Sequence, residues 1–246
     1  MQNQTYYIFH HFNPNTPIFQ YMDFDYFLSI VESNQYFVTF KKHFLDNKEK
    51  KLLHNKRFGT HIFPIHLSGK ELNEDEKKHD SEMINKMFEL FEESTLLLAS
   101  CWTLTKEENY LMWKSYTTKI GIRIETTIDN FVCALETTDY DIVCGNICYE
   151  GFHYPSIVEN SWFVKDSHYA SENEFRFYFR PKDGITNMYK ENVDKKKGKT
   201  FNVDYKKLIN KVVLSPFIQE KAAETIGNII KETYKLSYEL SKITVN

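Results

Sequence analysis

Pro17 to Phe40 read PIFQYMDFDYFLSIVESNQYFVTF, and this stretch decides the fold class. Pro17 to Tyr21 has the character of a short strand. Asp23 has the chemistry of a helix N-cap, because its carboxylate can take the free amides of a first helical turn. Phe24, Phe27, Leu28 and Val31 then recur at helical spacing, so an amphipathic helix is expected. Ser33-Asn34 stop it. Gln35 to Phe40 return as a strand rich in Tyr, Phe, Val and Thr, residues that suit a pleated, half-buried surface.

The same reading extends outward. Lys41 to Arg57 is a charged connection, Thr60 to Leu67 alternates like a strand, and Asn73 to Glu93 is a long polar helix with Met83, Met87, Phe88, Leu90 and Phe91 as its apolar stripe. Thr95 to Thr103 reads as a buried strand. Thr105 with Glu108 forms a capping box for a helix carrying Tyr110, Met112, Trp113 and Tyr116. Ile120 to Thr127 alternates again, a short helix covers Ile128 to Leu135, and Tyr140 to Tyr149 is a strand. Trp162 to Lys165 is a short extended piece and Glu174 to Phe179 a strand. Lys182 to Thr200 carries breaker residues and reads as a hairpin loop or disordered insertion. Lys211 to Leu214 is a strand ending at Ser215-Pro216, Ile218 to Leu240 one long amphipathic C-terminal helix, and Ile243 to Val245 a last strand. Helices do not follow every strand. That pattern favours α+β, with a twisted, mainly antiparallel or mixed sheet flanked by helices. Neither repeat nor linker is evident, so residues 1–246 are expected to form a single domain.

Composition narrows the function classes. Aromatics make up 16% of 246 residues, with 20 Phe and 16 Tyr against 8 Gly and 6 Pro, which suits a dense core and excludes a disordered or repeat chain. A net charge of −3 gives no duplex-DNA footprint for the whole chain. The only dense basic run, Lys195-Lys196-Lys197-Gly198-Lys199, reads as a solvated loop or a local basic patch. Cys101, Cys133, Cys144 and Cys148 have no Cys-x-x-Cys or zinc-like spacing, so buried free thiols and a cytoplasmic setting are expected. No apolar run reaches the roughly 20 residues of a membrane span.

The chemistry concentrates in two segments. In Glu172-Asn173-Glu174-Phe175-Arg176, strand alternation places Glu172, Glu174 and Arg176 on one face. Such a trio is either a polar site or part of a cross-strand ion-pair ladder with Arg123 and Glu125. Trp113 and Tyr116, three apart on a helix, either stack on a nucleobase or nicotinamide ring or belong to the core. His10, His11, His153 and His168 lack a telling Ser or Cys partner. Nucleophile elbow, phosphate loop and dinucleotide glycine motif are all missing from the sequence.

Several pieces together resemble a large bacterial family of unknown function. They are Tyr21-x-x-Phe24-x-x-Phe27-Leu28, Tyr36-Phe37, Cys101-Trp102, Met112-Trp113-x-x-Tyr116, Gly121-Ile122-x-Ile124, Lys165, Glu172-x-Glu174-x-Arg176 and Val212-Val213-Leu214-Ser215-Pro216. That resemblance covers residues 17 to 245. More distantly, the opening strand, the helix ending Ile30 to Asn34 and the next strand are similar to the start of ADP-ribosyltransferase folds, which end their motif set with Glu or Glu-x-Glu on a late strand. Thr39 and Glu174 match the second and third positions of that set. The first departs, because Gln20-Tyr21-Met22 stands where a His or Arg is expected. The resemblance implies NAD as substrate, Glu174 and Glu172 as catalytic residues, and Tyr21, Thr39, Trp113, Tyr116 and Arg176 as the NAD-binding cleft. It also implies a protein or nucleic-acid target in a toxin or phage-defence setting. The rival readings are a non-catalytic protein- or nucleotide-binding module and a carboxylate–metal nuclease. What separates them is whether Glu174, Tyr21 and Thr39 meet in one cleft.

Overall fold

The computed structural model describes residues 6–8, 12–43, 93, 95–118, 120–149, 163 and 165–245. The expected strand at 60–67, the helix at 73–93, most of the 162–165 piece, and His10, His11 and His153 lie outside the described residues. Ten strands join in one mixed, mainly antiparallel sheet. They are β1 (Tyr6–Ile8), β2 (Pro17–Asp23), β3 (Gln35–Phe40), β4 (Leu98–Thr103), β5 (Gly121–Thr127), β6 (Tyr140–Asn146), β7 (Glu174–Pro181), β8 (Gly198–Asn202), β9 (Lys211–Leu214) and β10 (Tyr238–Leu240). The helices are α1 (Phe24–Ser33), α2 (Tyr110–Tyr116), α3 (Ile128–Ala134), α4 (Asn187–Lys195), α5 (Tyr205–Leu208) and α6 (Glu220–Glu232). None of them is long and apolar enough to cross a membrane.

The sheet splits at β4. One edge of β4 pairs with β7 along its whole length, and β6 and β1 continue beyond. The other edge is shared. At its end Thr103 faces Phe19 of β2, and at its start Leu98 and Ala99 face Phe40 and Thr39 of β3. A stretch of one strand edge can hold only one neighbour, so β2, which carries β5 on its far edge, and β3, which carries β8, cannot both lie along the middle of β4. They splay apart, joined by α1, and Asn34 closes that helix in the left-handed region at φ 54°. Among the described residues, Ser100, Cys101 and Trp102 are left between them without a strand partner on that edge.

The main core lies on one face of the sheet. Phe27, Ile30 and Val31 of α1 and Ile128, Phe131 and Val132 of α3 pack there against Trp102, Phe175, Phe177 and Phe179. Phe131 is central, with ring centroids 4.4 Å from Phe177, 5.0 Å from Trp102 and 5.4 Å from Tyr36. Among the described residues, two apolar clusters cover the opposite face. At one end Trp113 of α2 packs with Tyr21 and Val213, and at the other Leu97, Ala99, Ile147, Phe163 and Tyr178 form a small cluster.

Several expectations are corrected. The C-terminal helix stops at Glu232, Lys235 turns the chain at φ 58°, and β10 folds back parallel to β9. Gly227 permits this, since a Cβ there would lie 2.1 Å from the Tyr238 ring. No strand forms at 243–245. The 182–200 stretch is neither hairpin loop nor insertion: Thr186 caps α4 through the Tyr189 amide, and all of β8 pairs with β3. Its polar composition reflects exposed side chains on an edge strand. Asn109, not Thr105, caps α2, accepting from the Leu111 and Met112 amides. Glu108 instead accepts from the Trp113 indole, the Ser241 hydroxyl and the Lys242 amide. The strand at 140–149 ends at Asn146: the Ile147 amide makes a last in-register bond to the Glu174 carbonyl, and Cys148 then pairs with Phe163 instead of β7. All four thiols are free, but only Cys144 is fully buried, Cys101 is half-buried, and Cys133 and Cys148 are exposed.

Candidate functional site

A cleft of about 510 Å³ opens where the sheet splits. Its edge is held by a chain of directed hydrogen bonds. The Trp102 indole donates to Ser100 Oγ at 2.9 Å, Ser100 and Tyr36 hydroxyls share a bond of 2.8 Å, and Tyr36 donates to Gln20 Oε1 at 2.9 Å. Gln20 Nε2 then donates to the Cys101 carbonyl at 3.1 Å, replacing the strand partner that residue lacks. A buried polar group left unpaired costs about 1–3 kcal/mol, so this chain is what allows the split to persist. Burial pushes the Tyr36 phenol well up, against the lowering effect of its Ser100 and Gln20 bonds, and keeps it a neutral donor.

The floor of the cleft is an ionic quartet. Register pairs Thr103 with Glu174, Cys101 with Arg176 and Ala99 with Tyr178, so these residues share the face away from the main core. Glu174 and Arg176 are 4% and 1% exposed. Arg176 grips Glu174 with two bonds, Nε to Oε1 at 2.6 Å and Nη2 to Oε2 at 3.0 Å. Its remaining nitrogen Nη1 donates to the Tyr178 hydroxyl at 3.1 Å. Lys165 Nζ stands between the two carboxylates, 2.6 Å from Glu172 and 3.2 Å from Glu174, and 4.6 Å from the centre of the Tyr169 ring. Tyr116 donates to Glu172 Oε1 at 2.9 Å.

The charges set each other's ionisation. Burial alone would raise the Glu174 carboxyl, but Arg176, and then Lys165, outweigh it and hold the group down to about 2. Lys165 is opposed by burial, yet Glu174 and Glu172 raise it above its usual range. Burial and the Glu172 charge push the Tyr116 phenol up. Burial, reinforced by Glu174, does the same to the Cys101 thiol, which donates into that carboxylate.

Most of the residues picked from the sequence converge here. Tyr21, Thr39, Tyr116, Glu172, Glu174 and Arg176 all line the cleft. Trp113 does not: it is fully buried, edge-on to Tyr21 at 4.8 Å, and Met112 lines the cleft in its place. Glu172 shares the cleft with Glu174 for a different reason than strand alternation. It ends a 3-10 turn (Ser167–Glu172), Asn173 is left-handed at φ 42°, and β7 begins only at Glu174. The Arg123 ladder is also absent. Arg123 lies 4.1 Å over the Phe19 ring and donates to the Thr105 and Lys106 carbonyls, pinning the loop before α2, while Glu125 faces Lys211. Lys165, Gln20, Tyr36, Ser100 and Cys101 had no role assigned from the sequence. Lys165, a lone lysine beside an aromatic turn, was the one with a local signal. Among the described residues no three His, Cys, Asp or Glu side chains gather to hold a metal.

Compared with protein-family models, curated proteins and solved structures, the chain matches none of them.

Proposed function

We propose that the protein is an NAD-dependent enzyme that transfers ADP-ribose to a macromolecule, or cleaves NAD, in the cleft at the split of the sheet. The observation that carries this reading is convergence. Tyr21 of β2, Thr39 of β3, Tyr116 of α2, Glu172 of the turn and Glu174 and Arg176 of β7 border one opening. A buried ion quartet contributes little to stability, and apolar replacements of such groups are often neutral or better. Charges buried beside an opening are therefore more in keeping with binding or catalysis. The cleft volume is in the range of small-ligand sites. Tyr116 and Tyr169 supply rings for a nicotinamide or adenine, and Lys165 supplies a cation near an anionic group. The wider reading is a single ADP-ribosyltransferase-like domain of a bacterial cytoplasm, in a toxin or phage-defence role.

NAD bound there supplies a glycosidic bond whose cleavage sends the electron pair to nicotinamide and leaves positive charge on the ribose. Glu174, held ionised, places a fixed negative charge beside that centre. Its oxygens already accept from Arg176, Lys165 and Cys101, so it acts through its field. Glu172 accepts from Lys165 and Tyr116 and keeps lone pairs for another donor. It is the carboxylate placed to take the proton from an acceptor nucleophile as that nucleophile bonds to the ribose carbon.

The test incubates the pure protein with adenylate-labelled NAD and cell lysate, beside Glu174→Gln and Glu172→Gln. Free nicotinamide and label transfer by the native protein, lost in Glu174→Gln, are the expected result. No nicotinamide from any sample sinks the enzyme reading. The full occupation of Glu174 favours one rival, a module that binds a nucleotide without reacting. Equilibrium dialysis showing bound, uncleaved NAD in the same samples would select it. The nuclease reading gains no observation of its own, since the Lys165 ammonium stands between the two carboxylates where a bridging cation would sit.

A further inference from the structure

A basic run lies one strand away from the cleft, and the proposed chemistry does not use it. α4 ends at Lys195, and Lys196 and Lys197 lead directly into β8, with all three side chains exposed. The backbone there is fixed: the Lys196 amide donates to Asn192 O, its carbonyl meets His43 Nε2 at 3.1 Å, and the Lys197 carbonyl takes the Phe40 amide at 2.9 Å. β8 places Gly198 opposite Thr39 and Thr200 opposite Phe37, and both Thr39 and Phe37 line the cleft. Strands are about 4.8 Å apart, so the lysines lie one strand from the opening. On a chain of net charge −3, the run Lys195-Lys196-Lys197 is a local concentration of positive charge.

A second observation concerns Phe37. Its side chain is 39% exposed, the only phenylalanine among the exposed large apolar residues described. A Cβ on Gly198 would come within 2.7 Å of its ring and 2.1 Å of the Val38 carbonyl. The ring is therefore seated on bare glycine backbone. Tyr26 donates to the Phe37 carbonyl at 2.7 Å and fixes the strand beneath it. An exposed, seated ring next to cations is the arrangement that stacks an unpaired base while lysines meet the phosphates.

We infer that the β3–β8 rim docks single-stranded nucleic acid, with phosphates on Lys196 and Lys197 and a base on Phe37. A duplex is disfavoured, because its bases are stacked on one another and a single ring at a strand edge cannot reach their faces. This inference stands apart from the transferase reading. If both hold, the acceptor is a nucleotide of the docked strand.

The experiment is fluorescence anisotropy with labelled oligo-dT and oligo-U of about 12 nucleotides, without NAD, at 50 and 200 mM salt. The native chain is expected to bind, more weakly at the higher salt. Lys196→Glu with Lys197→Glu is expected to weaken binding at least ten-fold at 50 mM salt. It should also flatten the salt dependence, by about 1.4 in slope for two lost phosphate contacts. Phe37→Ala is expected to weaken binding about ten-fold at both salts with the slope unchanged. Thermal unfolding of both variants, which alter exposed positions, checks that they fold. No binding by the native chain, indifference to the lysine pair, or full affinity in Phe37→Ala overturns the proposal. So does competition by polyglutamate as strong as by unlabelled oligonucleotide, which would point to an acidic protein. Because NAD is absent, failure here leaves the transferase reading untouched, and lack of nicotinamide release leaves this one untouched.

Discussion

The two faces of β7 are made from alternate residues of one strand, and they are buried in opposite ways. Phe175, Phe177 and Phe179 are fully buried against Phe131 and its neighbours, and need only shape. Glu174, Arg176 and Tyr178 are buried almost as completely, but each needs a named partner. On the first face any well-packed apolar set would serve. On the second the groups are interdependent, since removing one leaves another charged and unpaired in a place water reaches poorly. Depth alone thus does not mark the site. Charge at that depth, beside an opening, does.

The largest effects should show the difference between the faces. Phe177→Ala and Arg176→Met are each expected to cost about 3–5 kcal/mol, the first through a cavity and the second through an orphaned carboxylate. Urea unfolding of the double variants separates the causes. Adding Glu174→Gln should recover half or more of the Arg176→Met loss and none of the Phe177→Ala loss. Equal behaviour of the two pairs would break the contrast.

Acid sharpens it next. The Glu174 carboxyl is lowered from 4.5 to about 2, despite burial, by Arg176 and then Lys165. A lowered folded pKa means that stabilisation is present above about pH 4.5 and is lost as pH falls toward 2. Lys165 is raised above 10.5, so its share is present below that pH and is lost above it. The unfolding free energy from urea titrations at pH 7 to 2 should fall in the native chain by an amount on the order of a few kcal/mol. In Glu174→Gln that portion of the slope should vanish, whereas Phe177→Ala should lower the whole curve without reshaping it.

A smaller effect is expected at the split itself. Gln20→Leu removes the donor to the Cys101 carbonyl and the acceptor for Tyr36, at a cost of about 1–3 kcal/mol. Ile18, two residues before it on the same face of β2 and packed in the main core, offers the comparison: Ile18→Val should cost about 0.5–1.5 kcal/mol and leave ligand binding unchanged. Loss of binding in Gln20→Leu alone would tie the wedge to the site.

The strand–helix–strand opening was legible in the sequence because the apolar period changes from 2 to 3.6 and back within 24 residues. β7 was legible for a related reason, since charges and phenylalanines alternate along it. The split was not, because pairing is non-local: Gln20 reaches Cys101 across 81 residues and Tyr36 reaches Ser100 across 64. Spacing put Trp113 and Tyr116 on one face of α2 but did not separate core from site: Trp113 points down onto Tyr21, while Met112 and Tyr116 turn to the cleft. Glu172 reached the right place by a route that alternation does not describe, through a left-handed Asn173 and the pull of Lys165. The 182–200 stretch was misjudged because an edge strand and its helix can satisfy their backbones while exposing lysines and asparagines.

The smallest change tests the polar face most narrowly. Tyr116 is 46% exposed, so Tyr116→Phe should alter stability by no more than about 0.5 kcal/mol. Its hydroxyl nonetheless donates to Glu172, as does the Lys165 ammonium. Burial and the Glu172 charge keep that phenol protonated, so it donates throughout the neutral range. Without it Glu172 is tethered from one side only and can rotate toward the ammonium. If Glu172 is the working base, nicotinamide release should fall about ten-fold in Tyr116→Phe with the melting temperature unchanged. An unchanged release rate would detach α2 from the chemistry and leave the Tyr116 bond as surface packing. The apolar face has no counterpart to this test, because there a loss of function cannot be had without a loss of fold.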